Sequence, residues 1–326
     1  MSKLSTHNQI IPSRESLAPI LAQYGILDFN FLIDPNGVEN TTFILTTPQD
    51  RYALRVYRQR RRTEEEILLE IDYINYLIDY KIPVPRIIKN QNNQFLTKTK
   101  IDSMQWFSVL MEFIEGIHPK YYTKSLLKEF AEIQARMHAL AVNFKSDYII
   151  TLPKCDTGEK IKDFLFTDLL SVDQIDLSKI KNNNIKNFIG RARKFSFKVG
   201  NLPLGIIQKD IHAGNLLTEN NKLKGVLDFD DLFWGPIIAS VGFFLWDVFA
   251  RNGDLQSLHY YVDKYSKFRK LTPKENYILK DMLLLRNYIM GTVEFLTGGD
   301  ETHRKFLFPM KKYFEMEENL QDFEES

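Results

Sequence analysis

The stretch Gln208-Lys209-Asp210-Ile211-His212-Ala213-Gly214-Asn215, followed by Gly225-Val226-Leu227-Asp228-Phe229-Asp230-Asp231, decides how the rest of the chain is read. Asp210 and Asn215 stand five residues apart, and Asp228 ends a strand-like apolar run thirteen residues later. Phosphoryl transfer asks little of side chains: one carboxylate to orient the attacking hydroxyl, and an amide and a further carboxylate to hold magnesium. Asp210 fits the first role, as the catalytic carboxylate. Asn215 and Asp228 offer the hard oxygen ligands that magnesium prefers while it keeps waters and bridges phosphates. An isolated Asp-x-x-x-x-Asn is commonplace, because turns are rich in both residues; the run ending at Asp228 gives it weight. Phe229 is expected to pack and fix the turn. Asp230 is a secondary candidate, for a second metal or the acceptor, and Asp231 beside it is as readily a solvated acid. His212, also secondary, suits a loop-fixing hydrogen bond better than general-base work.

Upstream, Thr41–Thr46 and residues 52–57 are β-prone runs separated by Thr47-Pro48-Gln49-Asp50, which predicts a hairpin. Thr63-Glu64-Glu65-Glu66 matches a capping box and should start a helix, with an acidic first turn that suits the dipole. Ile67, Ile71, Ile74 and Ile78 give that helix an apolar face, and Ile82-Pro83-Val84-Pro85 stops it. Residues 107–113 read as a strand, after which Glu115-Gly116 lets the chain turn out of the sheet. A lobe boundary is expected at 112–116, dividing the chain into 1–113 and 114–326. Downstream, Leu126, Phe130, Ile133, Met137 and Leu140 predict a core helix from near Ser125. Residues 177–188, rich in Asn and Lys, read as a polar connection or a solvated helix. Short apolar segments at 204–207, 216–217 and 226–227 predict small strands that present loops at their ends. Phe233, Trp234, Phe243, Phe244 and Trp246 either line an acceptor pocket or, the commoner use of dense aromatics, form the core of a second-lobe helix. Helical spacing recurs from Leu255 onward, and the acidic tail at 315–326 is expected to fray.

Composition sets the bounds. With 326 residues, 44% of them apolar, the chain suits two lobes better than one core. Forty-three Lys and Arg against 42 Asp and Glu leave a net charge of +1, so no global field draws the chain to nucleic acid or to an anionic membrane. A small-molecule partner is expected. The basic run Arg58-Gln59-Arg60-Arg61-Arg62 is followed at once by Glu64–Glu66 and lacks interleaved stacking platforms, so it reads as a solvated junction. A lone cysteine, Cys155, excludes an internal disulfide, and six histidines without paired-ligand spacing argue against structural zinc. A reducing cytoplasm is the expected home. Residues 1–14 are polar and unlike a signal peptide. Residues 232–246 fall short of the ~20 apolar residues that a membrane-spanning helix needs.

The loops around Asp210 and Asp228, together with Gly235-Pro236, resemble those of the aminoglycoside phosphotransferase and choline kinase-like family. The resemblance extends to Gly37-Val38-Glu39-Asn40-Thr41-Thr42, Ala53-Leu54-Arg55-Val56-Tyr57, Ile82-Pro83-Val84-Pro85, Met111-Glu112-Phe113-Ile114-Glu115-Gly116 and Ala135-Arg136-Met137-His138, covering roughly residues 25 to 250. It implies an α+β, bilobal protein-kinase-like fold, with a small antiparallel-sheet N-lobe, a larger helical C-lobe and ATP between them. On that resemblance, Gly37, Asn40 and Thr41 belong to a loop folded over the phosphates, where backbone N–H groups cradle anionic oxygens. Arg55 stands where the family usually has a phosphate-contacting lysine, and Glu70 is placed to pair with it; Glu66, one turn earlier, is the competing partner. Backbone groups of Glu112, Phe113 and Ile114 correspond to the hinge that binds adenine. Gln208-Lys209 replaces the family's usual His-Gly before the catalytic Asp; Lys209, a secondary candidate, either neutralises transferred phosphate or points to solvent. The resemblance implies an ATP- and Mg2+-dependent kinase acting on a hydroxyl of a small metabolite or an aminoglycoside-like compound. The Gly37–Asn40 stretch is also similar to homoserine kinases of this fold, which makes an amino-alcohol acceptor the alternative. The departures at Arg55 and Gln208-Lys209 suggest a rival of another class, a catalytically weak nucleotide-binding pseudokinase.

Overall fold

The hairpin and the capped helix expected between residues 41 and 79 are both present in the computed structural model, which describes residues 13–35, 40–166, 174–297, 309–321 and 323. The chain divides into two units. One comprises Met1–Gly116, Lys145–Leu152 and Lys224–Asp230, and the other comprises Ile117–Phe144, Pro153–Leu223 and Asp231–Ser326.

In the first unit, α1 (Arg14–Leu21), capped by Ser13, precedes β1 (Asn30–Ile33), β2 (Thr41–Thr46), β3 (Arg51–Val56), α2 (Glu64–Asp79), β4 (Ile87–Ile88), β5 (Thr97–Ile101) and β6 (Met104–Glu112). The strands form one sheet in the order β1-β2-β3-β6-β4, with β5 also paired to β6, and every pairing is antiparallel. β3 is central, so Arg55 sits opposite Thr42 on one side and Val109 on the other. Leu17, Ile20 and Leu21 of α1 close a core with Phe43, Leu45, Leu54, Val56, Trp106 and Leu110 from the sheet. The sequence reason for α2 is complete: Thr63 accepts from the Glu66 N–H while Glu66 accepts from the Thr63 N–H at 2.8 Å. Two later segments belong to this unit. The Val226 N–H donates to the Pro83 carbonyl at 2.8 Å, Phe229 packs edge-on against Tyr73 with ring centroids 6.0 Å apart, and the Ser146 hydroxyl donates to Asp72 at 2.6 Å. Phe229 thus anchors its turn as expected.

The second unit contains α3 (Lys124–Ala141), α4 (Gly158–Phe166), α5 (Asn183–Lys194), β7 (Leu204–Gln208), β8 (Leu216–Glu219), the start of β9 (Lys222–Val226), β10 (Leu232–Pro236), α6 (Ile237–Asn252), α7 (Leu255–Phe268), α8 (Pro273–Thr297) and α9 (Met310–Gln321). Its centre is α6. Fourteen of its 16 residues are buried, as a helix apolar all round must be. Gly242 is required there, because a Cβ would come within 2.4 Å of Met282 Cβ on α8. β7 pairs antiparallel with β10, and Asn220 and Asn221, at φ 51° and 60°, turn the chain from β8 into β9.

Three expectations change. Phe233 and Trp234 lie on β10 rather than on a helix, because Pro236 ends the extended run and α6 starts only at Ile237. Residues 177–188 split into a short 3-10 turn and the start of α5, which buries Phe188, Ile189 and Ala192 on one face. The acidic tail is helical through Gln321 and buries Tyr313, Met316, Glu317 and Leu320. Its one buried acid among the described residues, Glu317, is held by the Arg191 fork at 2.6 and 2.8 Å and by the Tyr288 hydroxyl at 2.7 Å. No helix among the described residues is long and apolar enough to cross a membrane.

Candidate active site

The side chains singled out from the sequence fall into two clusters, each internal to one unit. In the first unit, the Arg55 Nη1–H donates to Glu70 Oε1 at 3.1 Å and the Nη2–H to Asp228 Oδ1 at 2.9 Å. Glu70 also accepts from the Tyr57 hydroxyl at 2.9 Å. Glu66 is spent on the helix cap, which decides between the two acids considered for Arg55. Asn40 links the same cluster to the strands: its Nδ2–H donates to Asp230 at 2.8 Å, and its Oδ1 accepts from the Arg58 N–H at 3.1 Å. Burial opposes the Arg55 charge, but Asp228, Glu70 and Asp230 outweigh it and hold the guanidinium protonated. Burial pushes the Glu70 carboxyl up to about 7; Asp230 adds to the shift, while Arg55 and the Tyr57 hydroxyl oppose it. Asp228 has a left-handed backbone, φ 67°, a conformation that Asp tolerates better than most residues outside glycine.

In the second unit, Asp210 follows β7, and Ala213–Asn215 form a 3-10 turn before β8. The Asn215 Nδ2–H donates to the Asp210 carbonyl at 2.7 Å, closing the five-residue spacing and leaving the amide oxygen as the group's other function. The Gly214 N–H donates to His212 Nδ1 at 2.9 Å, so the opposite nitrogen carries the proton and donates to Asp210 Oδ2 at 3.1 Å. The Arg286 Nη2–H donates to Asp210 Oδ1 at 2.6 Å. Burial pushes the Asp210 carboxyl upward, but His212 and Arg286 outweigh it and hold it well below the usual carboxylate range. Burial resists a charge on His212, but Asp210 outweighs it and raises the imidazole pKa above its ordinary value. Asp247 of α6 supports the loop from below. Its Oδ2 accepts from the Ala213 N–H at 2.9 Å, the Tyr122 hydroxyl at 2.5 Å and Arg251 Nε–H at 2.8 Å.

The remaining candidates are placed as follows. Thr41 opens β2 opposite Val56, and Gly37 lies outside the described residues. Glu112 ends β6 opposite Tyr52, with its N–H donating to the Arg86 carbonyl at 2.9 Å; Arg51 stacks over the Phe113 ring at 4.0 Å, and Ile114 packs against Gly225. Lys209 does not point to solvent: it is 9% exposed, its N–H donates to the Asp231 carbonyl at 2.9 Å, and its ammonium lies 5.0 Å from the centre of the Phe164 ring. Sequence reading missed Tyr57, Asp247 and Arg286. Asp247 had a signal, being the single acid in a mostly apolar helix, where an ionised group must be paired, with Arg251 one turn on. Arg286 had none, because its partner is 76 residues away.

The donor chemistry fits magnesium. Glu70, Asp228 and Asp230 face one intervening guanidinium, with Arg62 acting on Glu70 as well, so the cluster carries surplus carboxylate. Among the described residues no group of three or more His, Cys, Asp or Glu is placed to hold a metal ion.

Residues 31–274 match the sequence model described as "Phosphotransferase enzyme family". A homoserine kinase of Methylobacillus flagellatus is 24% identical over 285 residues, 83% of this chain and 82% of that protein. Among solved structures, an amicoumacin kinase in complex with AMP-PNP, Ca2+ and Ami superposes with a TM-score of 0.66 at 16% identity, covering 96% of this chain and 92% of that one. A microcompartment-associated aminopropanol kinase gives 0.61 at 19% identity, covering 92% of each chain. The fold is thus the protein-kinase-like one that the sequence resemblance implied.

Proposed function

The chain belongs to the phosphotransferase enzyme family, and on that premise we propose that it transfers the γ-phosphoryl group of ATP, with magnesium, to the hydroxyl of a small amino alcohol or hydroxy amino acid. The observation that carries this is the loop from Asp210 to Asn215, closed by the 2.7 Å bond between the two, with both Asp210 oxygens held by donors. Asp210 stays ionised at neutral pH and is a weak base. Its work is to hold the acceptor hydroxyl in line and take the proton late, which a loose phosphoryl-transfer transition state permits. Asp228 and Asn215 would hold magnesium through their side-chain oxygens, and the ion would supply positive charge against the phosphates. Arg55, held by Glu70, keeps a full positive charge for the phosphates, and Asn40 and Thr41, at the start of β2, would lie where the chain folds over them. The stretch Glu112–Ile114 offers backbone groups to adenine. The nucleotide assignment is supported by the AMP-PNP in the amicoumacin kinase, and the acceptor class by the homoserine and aminopropanol kinases. Arg55 makes both contacts that a phosphate-side cation needs, which favours an active enzyme over a pseudokinase. A cytoplasmic setting suits the single, buried cysteine. The test is magnesium-dependent ADP release across a panel of hydroxyl-bearing compounds, with product mass analysis. Stimulation by one compound that gains a phosphoryl group supports the proposal, and nucleotide binding without stimulation by any compound contradicts it.

A further inference from the structure

We infer that Arg286 reads a carboxylate on the acceptor, which makes the substrate a short hydroxy carboxylic acid of the hydroxy amino acid kind. This rests on the reading that Asp210 holds the acceptor hydroxyl. Arg286 comes from α8, its side chain is 7% exposed, and its Nη2–H sits 2.6 Å from Asp210 Oδ1. The other carboxylate oxygen is taken by His212 at 3.1 Å. A hydroxyl presented to Asp210 therefore arrives beside a buried guanidinium. That guanidinium lies over the Phe243 ring, 5.6 Å from its centre, on an apolar helix that screens it little. Among the described residues only one of its five N–H donors is used, and the buried Nε–H has no acceptor. A guanidinium binds two anions readily, because its edges are separate two-donor forks that each match a carboxylate. Asp210 occupies part of one edge, and an acceptor carboxylate would satisfy the donor left idle. The same charge repels an ammonium placed next to the hydroxyl, which disfavours polycationic acceptors.

The test compares L-homoserine with its decarboxylated counterpart, 3-amino-1-propanol, as acceptors for the full chain and for Arg286→Gln and Arg286→Lys. The wild type is expected to favour the carboxylate by about 100-fold in kcat/KM, as sites built around a charged donor do. In R286Q that ratio should fall to within a few-fold, mainly through the KM for L-homoserine, while R286K keeps part of it. Binding of L-homoserine, followed by calorimetry, should weaken in R286Q in parallel. A wild-type ratio near one, or a ratio unchanged in R286Q, overturns the inference and leaves Arg286 as a residue that only positions Asp210. If R286Q does not fold, the wild-type ratio and R286K decide. A wild type that neither phosphorylates nor binds L-homoserine also overturns it, and magnesium-dependent transfer to another hydroxyl compound would then leave the broader phosphotransfer reading standing.

Discussion

Replacing Asp247 by Asn keeps the shape of the side chain and removes its charge from beneath the catalytic loop. Three donors meet at one oxygen: the Ala213 N–H at 2.9 Å, the Tyr122 hydroxyl at 2.5 Å and Arg251 Nε–H at 2.8 Å. A hydrogen bond to a charged group contributes about 1.5–3 kcal/mol and a neutral one about 0.5–1.5, so each bond weakens by about 1 kcal/mol. The sum is about 2–4 kcal/mol, a sizeable share of the ~5–15 kcal/mol that holds a protein folded. Arg251, with 19% of its side chain exposed, can be partly hydrated and lowers the figure towards its smaller end. Asp247→Ala is harsher, because it strands two buried donors and one guanidinium, and it should come close to unfolding the second unit. The catalytic consequence follows from Ala213 lying between Asp210 and Asn215: a shift of the loop by a fraction of an ångström should lower kcat by about 10- to 100-fold with a smaller change in KM. Urea unfolding followed by tryptophan fluorescence reads the first effect and steady-state kinetics the second. An Asn variant with the wild-type midpoint and wild-type kcat would show that Asp247 does not hold the loop.

Arg55→Gln removes the only donor shared by Glu70 and Asp228 among the described contacts and should lower kcat/KM for ATP by about 100-fold, with Arg55→Lys intermediate because it keeps the charge without the fork; equal kinetics in all three proteins would deny Arg55 a role at the phosphates. Glu317→Gln weakens the paired bonds from Arg191 and should destabilise the packing of α9 by about 1–3 kcal/mol, read as a lower melting temperature without loss of nucleotide affinity. Burial holds the His138 imidazole well below its usual pKa, and its Nδ1 shares a hydrogen bond with the Tyr265 hydroxyl at 2.7 Å. The unfolded chain then takes up a proton that the folded one refuses. Stability contributed by His138 is therefore present above about pH 6.5 and lost below it, by up to about 1.4 kcal/mol per pH unit. His138→Gln should flatten the acid limb of a stability-against-pH curve, and an unchanged limb would contradict the assignment.

Much of the fold was legible because its signals are local. The capping box at Thr63, the prolines after α2 and the apolar spacing of α3 each act within a few residues, and each marks an element of the structure. The acidic tail misled because charge alone suggested fraying, whereas the stability of α9 comes from Arg191 and Tyr288, over 20 residues away in sequence. Phe233 and Trp234 were read as helical because apolar density does not distinguish a buried strand from a buried helix. At the site, the pairing of Arg55 with Glu70 followed from resemblance. Asp228 as a third party to it, and Arg286 on Asp210, depend on contacts between distant segments that no spacing rule reports.

The most direct measurement is turnover by Asp210→Asn with a responsive acceptor, alongside nucleotide affinity from equilibrium titration. The variant keeps the size and polarity of the side chain and loses the carboxylate that holds the hydroxyl. Turnover should fall by about 10²- to 10⁴-fold while nucleotide affinity stays within a few-fold of wild type. Turnover retained at the wild-type rate would remove Asp210 from the reaction, and with it the mechanism built on the loop from Asp210 to Asn215.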